Sequence, residues 1–351
     1  MALSESDKPD APEHEKNERG RGRNAESPTE LHKQGWLDVL SRTAKEISND
    51  NLTIVAAGVA FYAFVALVPA FAAMIGLYGL AFDPMQVSEQ IKSFAQILPR
   101  EVLPMLEEQL TRLTTNEEAA GFSAILGLAL ALWSSAGATK ALIQGLNIAY
   151  GEKEKRGFIW LNVIALGLTL CIIAGSLVAI ALVAVMPAVL QSMHLGNQLE
   201  TILSVARWPI LLCGFMIALA ILYRYAPSRN EAKWRWVSPG AMVAAILWVS
   251  VSGLFSLYVS QFGSYDKTYG SLGAVVVFLM WLFLSAFSVL LGAEMNAEME
   301  RQTKKDTTVE PDSPMGQRGA LAADTVGPTR QTHKRQLEEE KTRPPAKQRR
   351  T

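Results

Sequence analysis

The stretch SYDKTYGSLGAVVVFLMWLFLSAFSVLLGAEMNAEME, residues 264–300, contains a long segment without a charged side chain. No charge occurs between Lys267 and Glu294, and as an α-helix this gap of about 26 residues is roughly 39 Å long. The hydrocarbon core of a bilayer is about 30 Å thick, so such a helix can cross it with some tilt. The segment therefore predicts a membrane-spanning helix that ends in acids.

The same pattern of long apolar segments recurs through the middle of the chain, whereas both ends are polar and charged. The pattern predicts an all-α, polytopic membrane protein with six transmembrane helices, at about 52–82, 121–141, 158–186, 205–223, 237–258 and 270–293. The predicted domains are a disordered cytoplasmic tail over 1–34, a membrane domain over 35–299 and a disordered basic cytoplasmic tail over 300–351. Truncation after about Gln302 is accordingly expected to leave the bundle folded.

Two shorter amphipathic elements accompany the predicted spans. In GWLDVLSRTAKEI, residues 35–47, Trp36, Val39 and Leu40 share one face, which is typical of a helix lying in the membrane interface. The loop over 83–120 has two apolar stripes separated by prolines and predicts a short extracytoplasmic helical hairpin. This hairpin is expected to lie on the bilayer, to cap the bundle or to offer a partner surface.

The distribution of Lys and Arg orients the bundle. The predicted loop between spans two and three and the loop between spans four and five are rich in bases, whereas the alternate loops are poor in them. The positive-inside rule then places both termini in the cytoplasm. The last eleven residues, KTRPPAKQRRT, hold five bases and no acid. This tail is either simply solvated or attracts anionic lipid head groups, and binding of nucleic acid is not favoured because no aromatic or folded element accompanies the charge.

The sequence offers no set of residues for known soluble-enzyme chemistry. Its two cysteines lie in separate apolar segments, three of its four histidines lie in the tails, and the fourth lies in a predicted loop. Walker A, GxSxG and HExxH motifs are absent from the sequence. We therefore predict no catalytic residues, no cofactor, no metal site and no enzymatic activity.

Three charged residues are predicted to lie at one depth, near the inner membrane boundary, on three different helices. They are Lys140, Arg224 and Glu294. A carboxylate leaving the apolar layer is costly unless it is hydrated or paired, so the two cations are candidate partners of Glu294. The alternative is that the three side chains are hydrated separately.

Four ordered segments carry a resemblance to a known family. They are GVAFYAFVALVPAFAAMIGLYGL (58–80), NIAYGEKEKRGF (147–158), YRYAPSRNEAKWRWVSPGA (223–241) and YGSLGAVVVFLMWLFLSAFSVLLGAEMNAE (269–298). Together they resemble the YihY/BrkB family of bacterial inner-membrane proteins over about residues 36–298. The family pattern maps onto Tyr62, Asn147, Tyr150, Gly151, Arg156, Tyr223, Arg224, Pro227, Trp234, Gly240, Tyr269, Gly270, Trp281, Gly292, Glu294 and Asn296.

The resemblance implies six spanning helices and little about chemistry. Some members of the family carry a ribonuclease label and others a virulence label. Hydrolysis of a phosphodiester usually needs metal-binding carboxylates or histidines, which this core does not offer, so the ribonuclease label is not transferred.

Two functions from different classes remain. The first is transporter- or flippase-like handling of a small or lipidic molecule at the inner membrane, with the lipid bilayer as the main partner. The second is a structural or regulatory scaffold for partners in the cell envelope. A transporter needs a continuous polar path, whereas a scaffold can have a dry core and an exposed apolar patch.

Overall fold

The computed structural model describes residues 20–81, 120–186, 197–261, 271–309, 311–330 and 332. The helices are α1 Lys33–Asn49, α2 Leu52–Ala81, α3 Ala120–Ala149, α4 Phe158–Ile180, α5 Asn197–Tyr225, α6 Trp234–Gln261, α7 Ser271–Glu300 and α8 Leu321–Asp324. A 3-10 turn over Pro28–Glu30 precedes α1, and a π-helical turn over Ala181–Val185 extends α4. Within the described ranges the chain forms no strand beyond one isolated bridge, so the predicted all-α class is confirmed.

The long helices α2 to α7 are arranged in a ring that follows chain order. Each packs on the next, α7 closes the ring on α2, and α7 also contacts α1 and α3. Successive helices run antiparallel, because the loop after α3 bonds to the loop after α5, which in turn bonds to the end of α7. We name this end, where charged side chains concentrate, the charged end of the bundle.

Several of these helices match the dimensions of a bilayer. Helices long and apolar enough to cross a membrane cover Phe158–Val183, Thr201–Tyr225, Trp234–Ser260 and Gly273–Glu300. A fifth span arises if the bent pair of α1 and α2 is taken together. The structure therefore shows a helical protein with four to five candidate membrane spans in its described part, and the predicted span over 121–141 lies within α3.

Helix α1 meets α2 at an angle of 65°. The turn includes Asn51 with a φ of +50°, in the left-handed region that asparagine tolerates better than most residues. The buried surface of α1 includes Val39 of the predicted apolar face, with Trp36 packed beside it, but Leu40 is 50% exposed and the polar Asp38 is only 1% exposed. Polar side chains of α1 are buried because charged partners from residues 20–31 and from the segment after α7 cover them, as shown below.

The predicted disorder of the two tails is wrong where the structure describes them. In the N-terminal part, Ala25 and Leu31 are buried in a small cluster with Trp236 and Met299. In the C-terminal part, residues 301–309 and 311–330 pack across the charged end. Their order comes from hydrogen bonds between arginine side chains and backbone carbonyls, a device that leaves no apolar periodicity in the sequence.

Other predictions fall where the structure says nothing. The predicted hairpin over 83–120 lies almost wholly outside the described residues, as do the remaining tail residues. The predicted loop over 188–204 is described only from Asn197, where the chain is already helical.

Candidate functional site at the charged end of the bundle

The C-terminal end of α7, where the long apolar segment ends, carries several buried polar side chains. Glu294, Asn296, Glu298 and Glu300 are each no more than 1% exposed. A buried carboxylate without a partner costs several kcal/mol, so partners are required. Two of these acids, Glu298 and Glu300, have such partners and anchor the loops and segments that cover this end.

Glu298 ties α1 to the end of α7. Its side chain pairs with the guanidinium of Arg42, and its backbone carbonyl accepts a second bond from Arg42 Nη2 at 2.8 Å. Arg301 Nη1 donates to the other carboxylate oxygen at 2.7 Å. Breaking such a buried pair on one side leaves a charge uncompensated, which makes α1 a fixed part of the bundle.

Glu300 anchors the loop between α5 and α6. Arg229 Nη2 donates to it at 2.6 Å, and Thr307 Oγ1 donates to the same carboxylate oxygen at 2.7 Å. The Arg229 guanidinium also lies 4.8 Å from the ring centroid of Tyr150, within the range of a cation–π interaction. Burial raises the pKa of the Tyr150 hydroxyl, so this group stays protonated.

The predicted pairing of Glu294 with Arg224 or Lys140 is wrong. Arg224 Nη2 donates instead to Glu231 at 2.9 Å, and Lys140 Nζ lies 4.9 Å from the ring centroid of Trp133. Each cation finds a partner close in sequence: the loop after α5 supplies an acid seven residues on, and α3 supplies an indole ring two turns back. Among the described residues, Glu294 Oε2 has no hydrogen-bond partner.

Several residues of the family pattern build a close contact between α6 and α7. A Cβ atom added at Gly292 would lie 2.6 Å from the Gly240 carbonyl oxygen, closer than atoms can pack. Asn296 Oδ1 accepts the Gly240 N–H at 2.8 Å, beside a proline that interrupts the hydrogen bonding of α6. The Tyr223 hydroxyl donates to a carbonyl of α7 at 2.7 Å. These four residues therefore have a packing role.

Asn147 and Arg156 of the family pattern, together with Glu154, join the loop after α3 to the loop after α5. We name these three residues the loop clasp. Arg156 makes two parallel bonds of 2.7 Å to Glu154 and donates to the Ala226 carbonyl at 2.8 Å. Asn147 donates to Glu154 and accepts the Ser228 N–H at 2.7 Å. Hydrogen bonds from the Arg156 side chain lower the pKa of Glu154 to about 2, so its carboxylate is ionised under ordinary conditions.

Residues 301–309 and 311–330, which we name the C-terminal strap, cross the charged end. Arg318 holds the strap together by donating to four backbone carbonyls, those of Ser313, Lys304, Lys305 and Ala323. The Leu321 N–H donates to Glu152 at 2.6 Å, and the Arg330 N–H donates to Asp38 at 2.9 Å. The strap thereby connects the loop after α3 with α1.

The N-terminal segment, residues 20–31, lies against the strap. Arg21 pairs with Asp38 at 2.6 Å, and Arg23 Nη2 donates to the Gly327 carbonyl at 2.8 Å. Gln302 Nε2 donates to the Arg21 carbonyl at 2.9 Å. The N-terminal segment and the C-terminal strap therefore depend on each other for their order.

An open cleft of about 450 Å³ lies between the start of α4 and the end of α5. Its lining includes the cations Lys155, Arg156, Arg224 and Arg229, and the aromatic residues Trp160 and Tyr225. Among the described residues, Glu231 is the only acid that lines it. We name it the basic cleft. Sequence reasoning placed Arg224 near this level but did not find the cleft.

Two tryptophans of the family pattern also have defined contacts. The Trp234 ring lies 4.7 Å from the guanidinium carbon of Arg224 and holds that side chain at the cleft. Trp281 Nε1 donates to Ser252 at 3.3 Å, which links α7 to α6. Both indoles thus act in positioning and packing.

The remaining residues of the family pattern lie in different structural settings. Gly151 has a φ of +66°, a conformation that favours glycine, and Pro227 lines the basic cleft. Tyr62 is 54% exposed on α2. Tyr269 and Gly270 lie outside the described residues.

Within the ranges that the structure covers, no group of three or more His, Cys, Asp or Glu side chains is placed to hold a metal ion. The acids at the end of α7 are instead engaged by arginines, apart from Glu294.

Comparison with known proteins shows which parts of this structure are shared with a family. Residues 43–316 match the family model described as Virulence factor BrkB. The chain belongs to the BrkB family. The match includes every residue that lines the basic cleft apart from Gly319, whereas the N-terminal segment, most of the first turns of α1 and the end of the strap lie outside it.

Individual relatives support membership and the membrane assignment. YfkH of Bacillus subtilis (strain 168), whose name describes it as ribonuclease-like, is 32% identical over 253 residues, 71% of this chain and 90% of YfkH. A UPF0761 membrane protein of Idiomarina loihiensis is 26% identical over 269 residues, 75% of this chain and 91% of the relative. Another, from Pseudoalteromonas translucida, is 24% identical over 282 residues, 78% and 88% of the two chains. No solved structure matches. This BrkB-family chain is an integral membrane protein.

The sequence signal for the main anchors was incomplete. Arg42 and Arg229 were visible only as charges in a helix and a basic loop, and their carboxylate partners lie 256 and 71 residues away. Of their two carboxylate partners, only Glu298 was singled out as an acid near the end of the apolar segment, whereas Glu300 was not. Which cation reaches which acid depends on how the ring of helices closes.

Proposed function

We propose that this BrkB-family protein handles a small or lipidic molecule at the inner membrane, in the manner of a transporter or flippase. The basic cleft carries the proposal, because it places charged groups beside apolar surface. We propose in addition that the chain crosses the membrane six times and that both termini lie in the cytoplasm. The charged end of the bundle is then its cytoplasmic end.

The surface around the cleft supports an amphipathic ligand. The first residues of α4 present large apolar side chains outward: Phe158 is 72% exposed, Ile159 78% and Trp160 59%. In a membrane protein such a surface faces lipid, and tryptophan favours the boundary between lipid and water. Since Trp160 also lines the cleft, a molecule bound there contacts apolar and cationic groups together.

We also propose that the protein is not a nuclease. The name of YfkH contains the word ribonuclease-like, but hydrolysis of a phosphodiester usually relies on metal-binding carboxylates or histidines. The described residues hold no group of donors suited to a metal, which supports the proposal.

The alternative is a scaffold for partners in the cell envelope, and the strap is the observation that favours it. The N-terminal segment and the end of the strap extend beyond the family match and together cover the charged end. A surface added to a shared core is a natural place for a partner that only some relatives bind.

Purified protein in liposomes tests the leading proposal. Movement of head-group-labelled phospholipids between leaflets is expected to be faster than in protein-free liposomes, and Trp160→Ala is expected to slow it at least several-fold. Ile159→Ala is the matched control, because that side chain has similar exposure but does not line the cleft. Rates equal to those of empty liposomes, for phospholipids and for small anions alike, would favour the scaffold.

A further inference from the structure

The geometry of the basic cleft points to a ligand class: we infer that it binds the phosphate ester group of an anionic lipid. The inference rests on the proposed function, since it names the class of molecule that the same cleft would take. The membrane-facing side of the cleft selects the lipid as the source of the phosphate.

The distribution of charge gives the first argument. Each cation of the cleft pairs with a carboxylate, but three of the four carboxylates, those of Glu152, Glu154 and Glu300, do not line the cleft. Only Glu231, which pairs with Arg224, is part of the lining. The positive sides of the pairs thus face the cleft and most of the negative sides face away, which leaves a positive potential inside it.

The exposure of the cations gives the second argument. The Lys155 side chain is 61% exposed, Arg156 12%, Arg224 10% and Arg229 2%. One exposed ammonium at the mouth and three less exposed arginines suit an anion with several acceptor oxygens, because the planar guanidinium matches phosphate geometry.

Unused donors give the third argument. Arg229 Nη1 has no hydrogen-bond partner in the part of the chain that the structure covers, although its side chain is almost wholly buried. Helix α4 begins beside the cleft after Gly157, and no side chain caps its first N–H groups. A helix N-terminus favours negative charge, and here it adds to the four cations.

Size and access give the last argument. A cavity of about 450 Å³ falls within the range of roughly 300–1,000 Å³ that is usual for small-molecule sites. Trp160 forms part of the wall and is exposed on the apolar surface of α4, so acyl chains can leave the cleft along that surface.

The test uses the full chain in detergent micelles and native mass spectrometry with three probes. Dioleoyl phosphatidic acid has phosphate and chains, dioleoylglycerol has chains only, and glycerol 3-phosphate has phosphate only. Wild-type protein is expected to prefer phosphatidic acid to dioleoylglycerol. Lys155→Gln is expected to weaken phosphatidic acid binding about fivefold, the effect of one base near an anionic head group.

Lys153→Gln is the matched control, because Lys153 lies in the same loop, is exposed and does not line the cleft. It is expected to change binding less than twofold, and Lys155→Arg is expected to keep wild-type affinity. Equal losses in Lys155→Gln and Lys153→Gln, or no preference for phosphatidic acid over dioleoylglycerol, would overturn the inference.

The outcomes separate the ligand class from the proposed function. If glycerol 3-phosphate binds as tightly as phosphatidic acid and depends on Lys155, the phosphate site stands but its ligand is soluble, and the lipid assignment is overturned. If phosphatidic acid binds through Lys155 while no lipid moves in liposomes, the inference stands and the transport proposal fails. Lipid movement without any dependence on Lys155 or phosphate leaves transport standing and overturns the inference.

Discussion

At the scale of single residues, the contact between Gly240 and Gly292 sets how closely α6 and α7 approach. A side chain at Gly292 meets the Gly240 carbonyl at 2.6 Å and the Ala244 Cβ atom at 2.7 Å. Neither obstacle is the flexible tip of a long side chain. The helices must therefore separate if any larger residue is introduced.

We predict that Gly292→Ala destabilises the protein by about 1–3 kcal/mol, the usual cost of overpacking a dense contact. Thermal unfolding in detergent measures it. Gly253→Ala in α6 is the control, because no atom lies within 4 Å of the added Cβ and alanine favours a helix. Equal unfolding temperatures for both variants would contradict the packing role.

Glu154 gives a pH dependence with a definite sign. Its pKa falls from 4.5 to about 2 on folding, because the Arg156 side chain stabilises the ionised form. Its stabilising contribution is thus fully present above about pH 4.5 and is lost as the pH falls toward 2.

We predict that Glu154→Gln costs about 1 kcal/mol at pH 7, after allowance for solvent screening of this partly exposed pair, and that the difference from wild type shrinks below pH 4.5. Denaturant unfolding at several pH values measures it. Asp312→Asn, which removes a pair with a carboxylate that is 71% exposed, is expected to change little at any pH. A cost for Glu154→Gln that stays constant down to pH 2 would contradict the assignment.

At the scale of elements, the C-terminal strap completes α1 and the loops of the charged end. In the strap, the Thr307 hydroxyl donates a hydrogen bond to Glu300, and the Leu321 N–H donates one to Glu152. The Gly327 carbonyl of the strap accepts a hydrogen bond from Arg23. Its removal would expose or leave unpaired groups that are buried in the intact chain. The sequence pattern predicts no such dependence.

Truncation after Gln302 is therefore expected to destabilise the protein by about 3 kcal/mol or more, since each buried polar group that loses its partner costs about 1–3 kcal/mol. Truncation after Thr332 keeps these contacts and serves as the control. Unfolding temperatures in detergent, with protease sensitivity of α1 as a second measure, distinguish the two. If both truncations match the full chain, the strap has no structural role.

At the scale of the whole molecule, the charged end collects the basic loops, the buried acids, the N-terminal segment and the C-terminal strap on one side of the bundle. This gathering follows from the antiparallel ring, in which alternate loops share a side. Under the proposed topology, in which the basic loops follow the positive-inside rule, that side is the cytoplasmic one.

We predict that Lys153→Cys and Ala119→Cys react from opposite sides of the membrane in a background without Cys171 and Cys213. A membrane-impermeant maleimide is expected to label position 119 in intact cells with a permeable outer envelope, and position 153 only after the inner membrane is opened. Labelling of both positions from one side would disprove six crossings with cytoplasmic termini.

Sequence-based predictions agree with the structure where they depend on interactions within one segment, and they fail where residues far apart in the chain meet. Apolar segments longer than about 20 residues predicted α4 to α7, because burying backbone in lipid requires a helix whatever its neighbours are. The family pattern located Asn147, Arg156 and Gly292, but their roles as clasp and packing contact emerged only once the loops and helices met.

The sequence by itself determined the helical class, the apolar segments, the basic loops and the family. These properties depend on local composition and periodicity, which each segment carries in its own residues. The tertiary structure alone decided that Glu294 does not pair with Arg224, that Arg229 reaches Glu300, and that the N-terminal segment and the C-terminal strap fold onto α1. The physical reason is that an ion pair or a backbone hydrogen bond needs atoms about 3 Å apart, and only the closed ring of helices fixes those distances.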